Sequence, residues 1–229
     1  MTQTIPTQSL QLETAGVVLP GDLAIPAGAT GLVIFAHGSG SSRLSPRNRQ
    51  VAEWLNQSGL ATLLFDLLTR AEESLDAHTA QLRFDLELLA RRLAGVTDWM
   101  ASVDEVRDLP VGYFGASTGA AAALVAAASR SERIRAVVSR GGRPDLAGRA
   151  LAEVKAATLL IVGEYDGTVI RLNQEAMRQL TLAHKELVIV PGASHLFEEH
   201  GTLEQAGEYA RRWFSRYLTG ATPDQEHDQ

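Results

Sequence analysis

Residues 111–119 read Val-Gly-Tyr-Phe-Gly-Ala-Ser-Thr-Gly. Val111 to Phe114 is a short apolar run that predicts a strand, and from Ser117 to Ser129 the chain becomes alanine-rich, which predicts a helix. Between them lies Gly115-Ala116-Ser117-Thr118-Gly119, a G-x-S-x-G pattern. A serine on a sharp strand-to-helix turn is strained and crowded. Small residues on both flanks let the chain turn while the hydroxyl stands above the sheet. The helix that follows directs its first N–H groups toward the same point, where they favour developing negative charge. In a chain with 20 glycines the pattern alone is weak, and its place between strand and helix gives it weight.

The same alternation extends in both directions. Upstream, Gln8 to Glu13 and Val17 to Ile25 predict two short strands joined through Gly16. Gly31 to Ala36 and Ala61 to Phe65 are continuous apolar runs of the kind buried on both faces. Pro46 to Gln57 predicts a helix capped by Ser45, with proline at its first position. Leu82, Leu86, Leu89, Leu93 and Val96 recur at helical spacing within a segment from Leu82 to Met100. Downstream come strands at Ile134–Val138, Thr158–Val162 and Glu186–Val190, with helices at Arg171–Leu180 and Leu203–Leu218. Alternating βα units with short connections predict an α/β fold: a mostly parallel sheet, helices on both faces and an antiparallel N-terminal hairpin. A single domain over 1–220 is expected, with the polar stretch 221–229 as a disordered tail.

In such sheets ligands bind beyond the carboxyl ends of the strands. A serine hydroxyl there needs a base. Of six histidines, His195 follows the strand Glu186–Val190 in Pro191-Gly192-Ala193-Ser194-His195, a loop at the right edge of the sheet. The base in turn needs a carboxylate to fix its tautomer. Asp166 in Gly163-Glu164-Tyr165-Asp166-Gly167 follows the preceding strand and lies further into the loop than Glu164, its competitor. Ser117, Asp166 and His195 are therefore the expected catalytic residues. A tetrahedral oxyanion needs donors, which are assigned to the backbone N–H of Thr118 and that of Ser39 in His37-Gly38-Ser39-Gly40-Ser41-Ser42, with Gly40 as second choice. His37 is read as a brace for this loop. Arg43, Arg47, Arg140 and Arg143 flank the same edge and are candidates for binding a substrate carboxylate, against the alternative of ordinary surface ion pairs. The segment from Leu67 to Thr79 leaves this edge and is expected to cover part of the site.

Composition narrows the function classes. No cysteine is present, which removes disulfide scaffolds, thiolate metal sites and any thiol nucleophile. A formal charge of −6 argues against a nucleic-acid binder. The N-terminus has neither a basic start nor an apolar core, and no apolar run approaches the ~20 residues of a membrane span, so a cytoplasmic protein without membrane contact is expected. The glycine-rich loop lacks the lysine of a phosphate-binding loop. His195 to His200 lacks metal-ligand spacing, and neither metal nor cofactor is expected.

With these pieces together (HGSG after the third strand, GASTG at the turn, GEYDGTV around the acid and PGASHLF around the histidine) the chain from about Leu12 to Leu218 resembles an α/β-hydrolase of the small, dienelactone-hydrolase-like branch. Dienelactone hydrolases proper are known for a cysteine nucleophile, whereas this turn carries Ser117. The resemblance therefore implies a serine carboxylesterase acting on a small ester. Hydrolysis of lactones, dienelactones or thioesters is the alternative. A catalytically silent binding protein on the same fold is the alternative from another class. Oligomeric state is not legible in the sequence.

Overall fold

The computed structural model describes residues 5–219, so the stretch 221–229 expected as a tail lies outside the described residues. Eight strands form one sheet: β1 (Thr7–Thr14), β2 (Val17–Ala24), β3 (Gly31–Ala36), β4 (Leu60–Phe65), β5 (Val111–Ala116), β6 (Ile134–Arg140), β7 (Ala157–Gly163) and β8 (Lys185–Val190). Their spatial order is β1-β2-β4-β3-β5-β6-β7-β8. β1 and β2 pair antiparallel, β2 runs antiparallel to β4, and every other neighbouring pair is parallel. This is the α/β architecture that the alternation predicts. β3, β4, β5 and β7 are buried at every residue, which explains their largely apolar sequences.

Among the described residues six α-helices accompany the sheet: α1 (Pro46–Gln57), α2 (Arg70–Thr79), α3 (Leu86–Met100), α4 (Thr118–Ser129), α5 (Gly167–Gln179) and α6 (Thr202–Leu218). α1 and α6 cover one face, where Leu55, Trp213 and Phe214 pack with Phe35, Phe114 and Val138. α3, α4 and α5 cover the other, where Leu93, Leu124 and Ala176 join the cluster around Ile34, Leu63 and Tyr113. The alanines of α4 from Ala120 to Ala123 are fully buried; side chains this small let the helix sit close to the strands behind Ser117. A helix apolar on all sides belongs inside, and α4 is one.

Two expectations need correction. The amphipathic segment starts later than Leu82: residues Leu82–Phe84 form a 3₁₀ turn, and α3 begins at Leu86 with Asp85 accepting the Leu88 N–H. α5 begins at Gly167 rather than Arg171, because the Ile170 N–H already closes a helical turn on the Asp166 carbonyl. Residues Pro144–Glu153 form 3₁₀ turns broken at Gly148, where φ is +52°.

The segment from Leu67 to Thr79, after β4, contains α2. Its start is a capping box: the Glu72 N–H donates to Thr69 Oγ1 and the Thr69 N–H to Glu72 Oε2. The same carboxylate takes two hydrogen bonds from Arg92 of α3, at 2.8 and 2.6 Å, and Arg92 also donates to the Leu67 carbonyl. Arg92 is 2% exposed, so this pair anchors α2 to the body of the protein. Hydrogen bonds from Arg92 pull the Glu72 carboxyl down to about 2. Its folded value lies below its ordinary 4.5, so the stabilisation is complete above that pH and is lost as pH falls toward about 2. Glu72→Gln should therefore melt below the wild type at neutral pH, with the gap closing as the pH falls from about 4.5 toward 2; a gap in melting temperature that stays constant over that window contradicts the assignment.

Candidate active site

Ser117 sits between β5 and α4 with φ +50° and ψ −123°, a conformation rarely adopted by a residue with a side chain. The surroundings impose it. The Ser117 N–H donates to the Arg140 carbonyl, and the Ser117 carbonyl accepts from the N–H groups of Ala120 and Arg143. Both flanking glycines are sterically required. A Cβ on Gly115 would drive into the backbone of Ala120, and one on Gly119 into the carbonyl oxygens of Ala36 and His37. The turn is thus wedged against the end of β3, and Gly38 lies against the Ser117 side chain.

His195 leaves the end of β8 and Asp166 the end of β7. The two loops are pinned to each other: the Glu164 N–H donates to the Val190 carbonyl and the Tyr165 N–H to that of Ala193. Across them His195 Nδ1 donates to Asp166 Oδ2 at 2.5 Å. A carboxylate only accepts, so Nδ1 carries a proton, and in the neutral tautomer this leaves the Nε2 lone pair free. Glu164, the competing acid, turns away and accepts the Gly192 N–H at 2.8 Å. Ser117 and His195 line one cavity, together with Ser39, Arg47 and Arg140. Among the described residues no hydrogen bond joins the Ser117 hydroxyl to the imidazole.

The loop after β3 is braced by His37. The Leu67 N–H donates to His37 Nε2 at 3.0 Å, so the ring proton is on Nδ1, which donates to the Gly38 carbonyl. Burial holds the His37 imidazole below its ordinary value, consistent with a permanently neutral ring. Thr118 occupies the first position of α4, where helix N–H groups have no intrahelical acceptor. The Ser39 N–H, by contrast, is engaged: it donates to Thr118 Oγ1 at 3.0 Å, and the two hydroxyls lie 2.9 Å apart. Gly40 provides the turn at φ +67°.

The four arginines separate. Arg43 donates to Asp66 from its backbone and, at 2.6 Å, from its guanidinium. Arg143 pairs with Asp145 at 2.8 Å, and neither Arg43 nor Arg143 lines the cavity at Ser117. Arg47 does, and it meets the exposed Glu198 at 3.1 Å. Arg140 is 7% exposed and has no carboxylate partner among the described residues. It donates only to Asn48 Oδ1 at 3.3 Å, leaving Nε and Nη1 without acceptors, and lies 5.6 Å from the centre of the Phe197 ring. Burial and the nearby charge of Arg47 push its guanidinium down to about 10. Among the described residues no cluster of three potential metal ligands occurs and no helix is long and apolar enough to cross a membrane.

Four neighbours escaped the sequence reading. Asn48 holds Arg140, Phe197 lies near it, Gly141 sits so close to the His195 carbonyl that a side chain there would crowd it, and Glu199 accepts the Ser194 N–H beside His195. Asn48 and Gly141 come to His195 only through the fold, whereas Phe197 and Glu199 follow it closely in the chain.

Known proteins place this geometry in context. A family model described as the dienelactone hydrolase family matches residues 19–218. A crystal structure of dienelactone hydrolase from Anabaena variabilis is 58% identical, covers 94% of this chain and 100% of its own, and superposes with a TM-score of 0.92. Est1E of Butyrivibrio proteoclasticus, solved with ferulic acid bound, shares the fold at 19% identity, with a TM-score of 0.73 over 90% of this chain and 99% of its own. A Mycobacterium tuberculosis protein carrying the provisional name of a phosphoribosyl transferase is 55% identical over 94% of this chain. The match takes in 48% of that protein, so the chain spans about half the length of the curated relative. The extent of the family match and the likeness to the Anabaena structure agree with the strand order and the serine turn: this chain belongs to the dienelactone hydrolase family and has its α/β-hydrolase fold.

Proposed function

We propose that the protein is a serine carboxylesterase. The observation that carries this reading is the His195–Asp166 hydrogen bond of 2.5 Å at the mouth of the cavity that holds Ser117 in its strained turn. The Ser117 hydroxyl attacks an ester carbonyl carbon, forming a C–O bond while its proton passes to His195 Nε2. The oxyanion is held by the Thr118 N–H, joined by that of Ser39 once it leaves the Thr118 hydroxyl. A preorganised donor such as the Thr118 N–H lowers such a barrier by about 3 kcal/mol, whereas the Ser39 N–H first gives up its bond to Thr118. As the intermediate collapses, the bond to the alcohol oxygen breaks and that oxygen takes the proton from His195. Water then repeats the sequence on the acyl-enzyme, giving the carboxylic acid and free Ser117. Asp166 keeps Nδ1 protonated and stabilises the imidazolium. Arg47 and Arg140 are the arginines that face substrate.

The transferase name of the M. tuberculosis relative belongs to a protein of which this chain spans 48%, and the chemistry proposed here rests on the serine site alone. Lactones and thioesters pass through the same acyl-enzyme, so a panel of p-nitrophenyl esters, lactones and thioesters ranks them.

Ser117→Ala is expected to lose short-chain ester hydrolysis by a factor of about 10³ or more and to lose labelling by a fluorophosphonate probe; undiminished turnover in that variant rules the mechanism out. A wild-type protein that takes no fluorophosphonate at all points instead to the silent binding protein. Asp166→Asn should lower kcat by about 10²- to 10⁴-fold, because the imidazole loses the acceptor that fixes its tautomer. Glu164→Gln should stay within about twofold of wild type, and the reverse ranking of the two variants would transfer the acid's role to Glu164.

A further inference from the structure

Glycines aside, four of the described residues have positive φ. Ala15 reverses the chain between β1 and β2, and Ala80 is the left-handed cap of α2; a hairpin and a helix end both call for that conformation. The third is Ser117. The fourth is Phe197, at φ +57°, two residues beyond His195. It stands in neither a hairpin nor a helix end, and a bulky side chain rarely accepts this region.

Its ring is what holds it there. Phe197 is buried in the apolar cluster that contains Val190, Ala193 and Phe214, whereas Leu196 is exposed and the His195 side chain partly so. The Phe197 N–H closes a turn on the Ser194 carbonyl at 3.3 Å, so three consecutive residues send an imidazole toward the cavity and an aromatic ring into the core. Ring and imidazole lie against the same glycine: a Cβ on Gly141 would stand 3.5 Å from Phe197 Cε2 and 3.7 Å from His195 Cε1. Asp166 holds the imidazole at Nδ1 alone, and one hydrogen bond leaves the ring free to swing about it. Where Nε2 points, and so whether it meets the Ser117 hydroxyl, is set by the backbone that carries the imidazole.

We propose that Phe197 is a positioning residue for His195: its buried ring locks the turn 194–197 in the left-handed conformation that presents Nε2 to Ser117 while Nδ1 stays on Asp166. Relaxation of Phe197 to negative φ would turn the ring out of the core and carry the imidazole with it, so burial of the ring and presentation of the base are one event. The proposal rests on the serine esterase reading and adds a residue to that site. The Arg140 guanidinium also lies 5.6 Å from the centre of the ring. An effect of Phe197 through Arg140, which faces substrate, would fall on KM; an effect through His195 falls on kcat.

The test uses the full chain with p-nitrophenyl butyrate. Phe197→Leu, which keeps apolar bulk without the ring, should lower kcat by about 10- to 100-fold, the cost of misplacing a reacting group by ~1 Å, with KM within about twofold of wild type. A double variant separates positioning from general damage. His195→Ala has no imidazole to place, so adding Phe197→Leu should leave its residual rate within about twofold. A kcat near wild type in Phe197→Leu, a change confined to KM, or a larger further loss in the double variant overturns the proposal. Should Phe197→Leu fold poorly, the wild type decides. With a phosphonate trapped on Ser117, a crystal structure should show Phe197 still buried at positive φ and His195 Nε2 within hydrogen-bond distance of the adduct. Phe197 relaxed, or the imidazole turned away with Phe197 in place, overturns the proposal. Ester cleavage and fluorophosphonate labelling by the wild type leave the serine mechanism standing in each of these cases, whereas absence of both overturns the two together.

Discussion

The contact between Gly119 and the carbonyls of Ala36 and His37 is the constraint on which the site depends. It brings the start of α4 against the end of β3 so closely that no side chain fits between them. Two consequences follow directly. Ser117 is forced to positive φ, since β5 ends and α4 begins within a single residue. The loop after β3 is brought against the serine, so close that a side chain at position 38 would crowd Ser117 and that Ser39 bonds Thr118. Strain of this kind, of order 1–3 kcal/mol, persists only where the surroundings over-determine it. Here the surroundings are the hydrogen bonds of Ser117 to Arg140, Ala120 and Arg143 and the alanine face of α4 buried behind them.

Much of the frame was legible because burial on two faces writes itself as apolar runs. Gly31–Ala36 emerges as a strand with the bounds read from its sequence, and Pro46–Gln57 as a helix with Ser45 at its cap. Where stability comes from charge rather than apolar area, the pattern fails. α2 has no apolar stripe: its buried residue is Asp76, held by Arg83, and its anchor is Glu72 on Arg92. Its Thr69-x-x-Glu72 box was in plain view, but a capping box without a following apolar period is a weak signal. The 3₁₀ turns at Pro144–Glu153 have no 3.6-residue period to betray them.

Candidate site residues show the same division. Ser117, Asp166 and His195 can be named from loops that follow strands, because strand order in a parallel sheet carries those loops to one edge. The fates of the arginines depend on partners far along the chain. Arg43 finds Asp66, and Arg47 finds Glu198 a further 151 positions on. Arg140 finds only Asn48, 92 positions away. Four residues of one type near one edge look alike until the distribution of carboxylates is known in space.

The carbonyl of Arg140 and its side chain serve different ends. The carbonyl receives the Ser117 N–H and helps to hold the strained turn, while the guanidinium lines the cavity in front of it. A backbone acceptor is indifferent to the side chain it carries. Position 140 therefore separates inheritance of the scaffold from variation of its ligand: a lineage can exchange the residue there while the hydrogen bond that shapes the turn is transmitted unchanged. Such a position gives selection a place to redirect the protein toward new molecules without first rebuilding its chemistry.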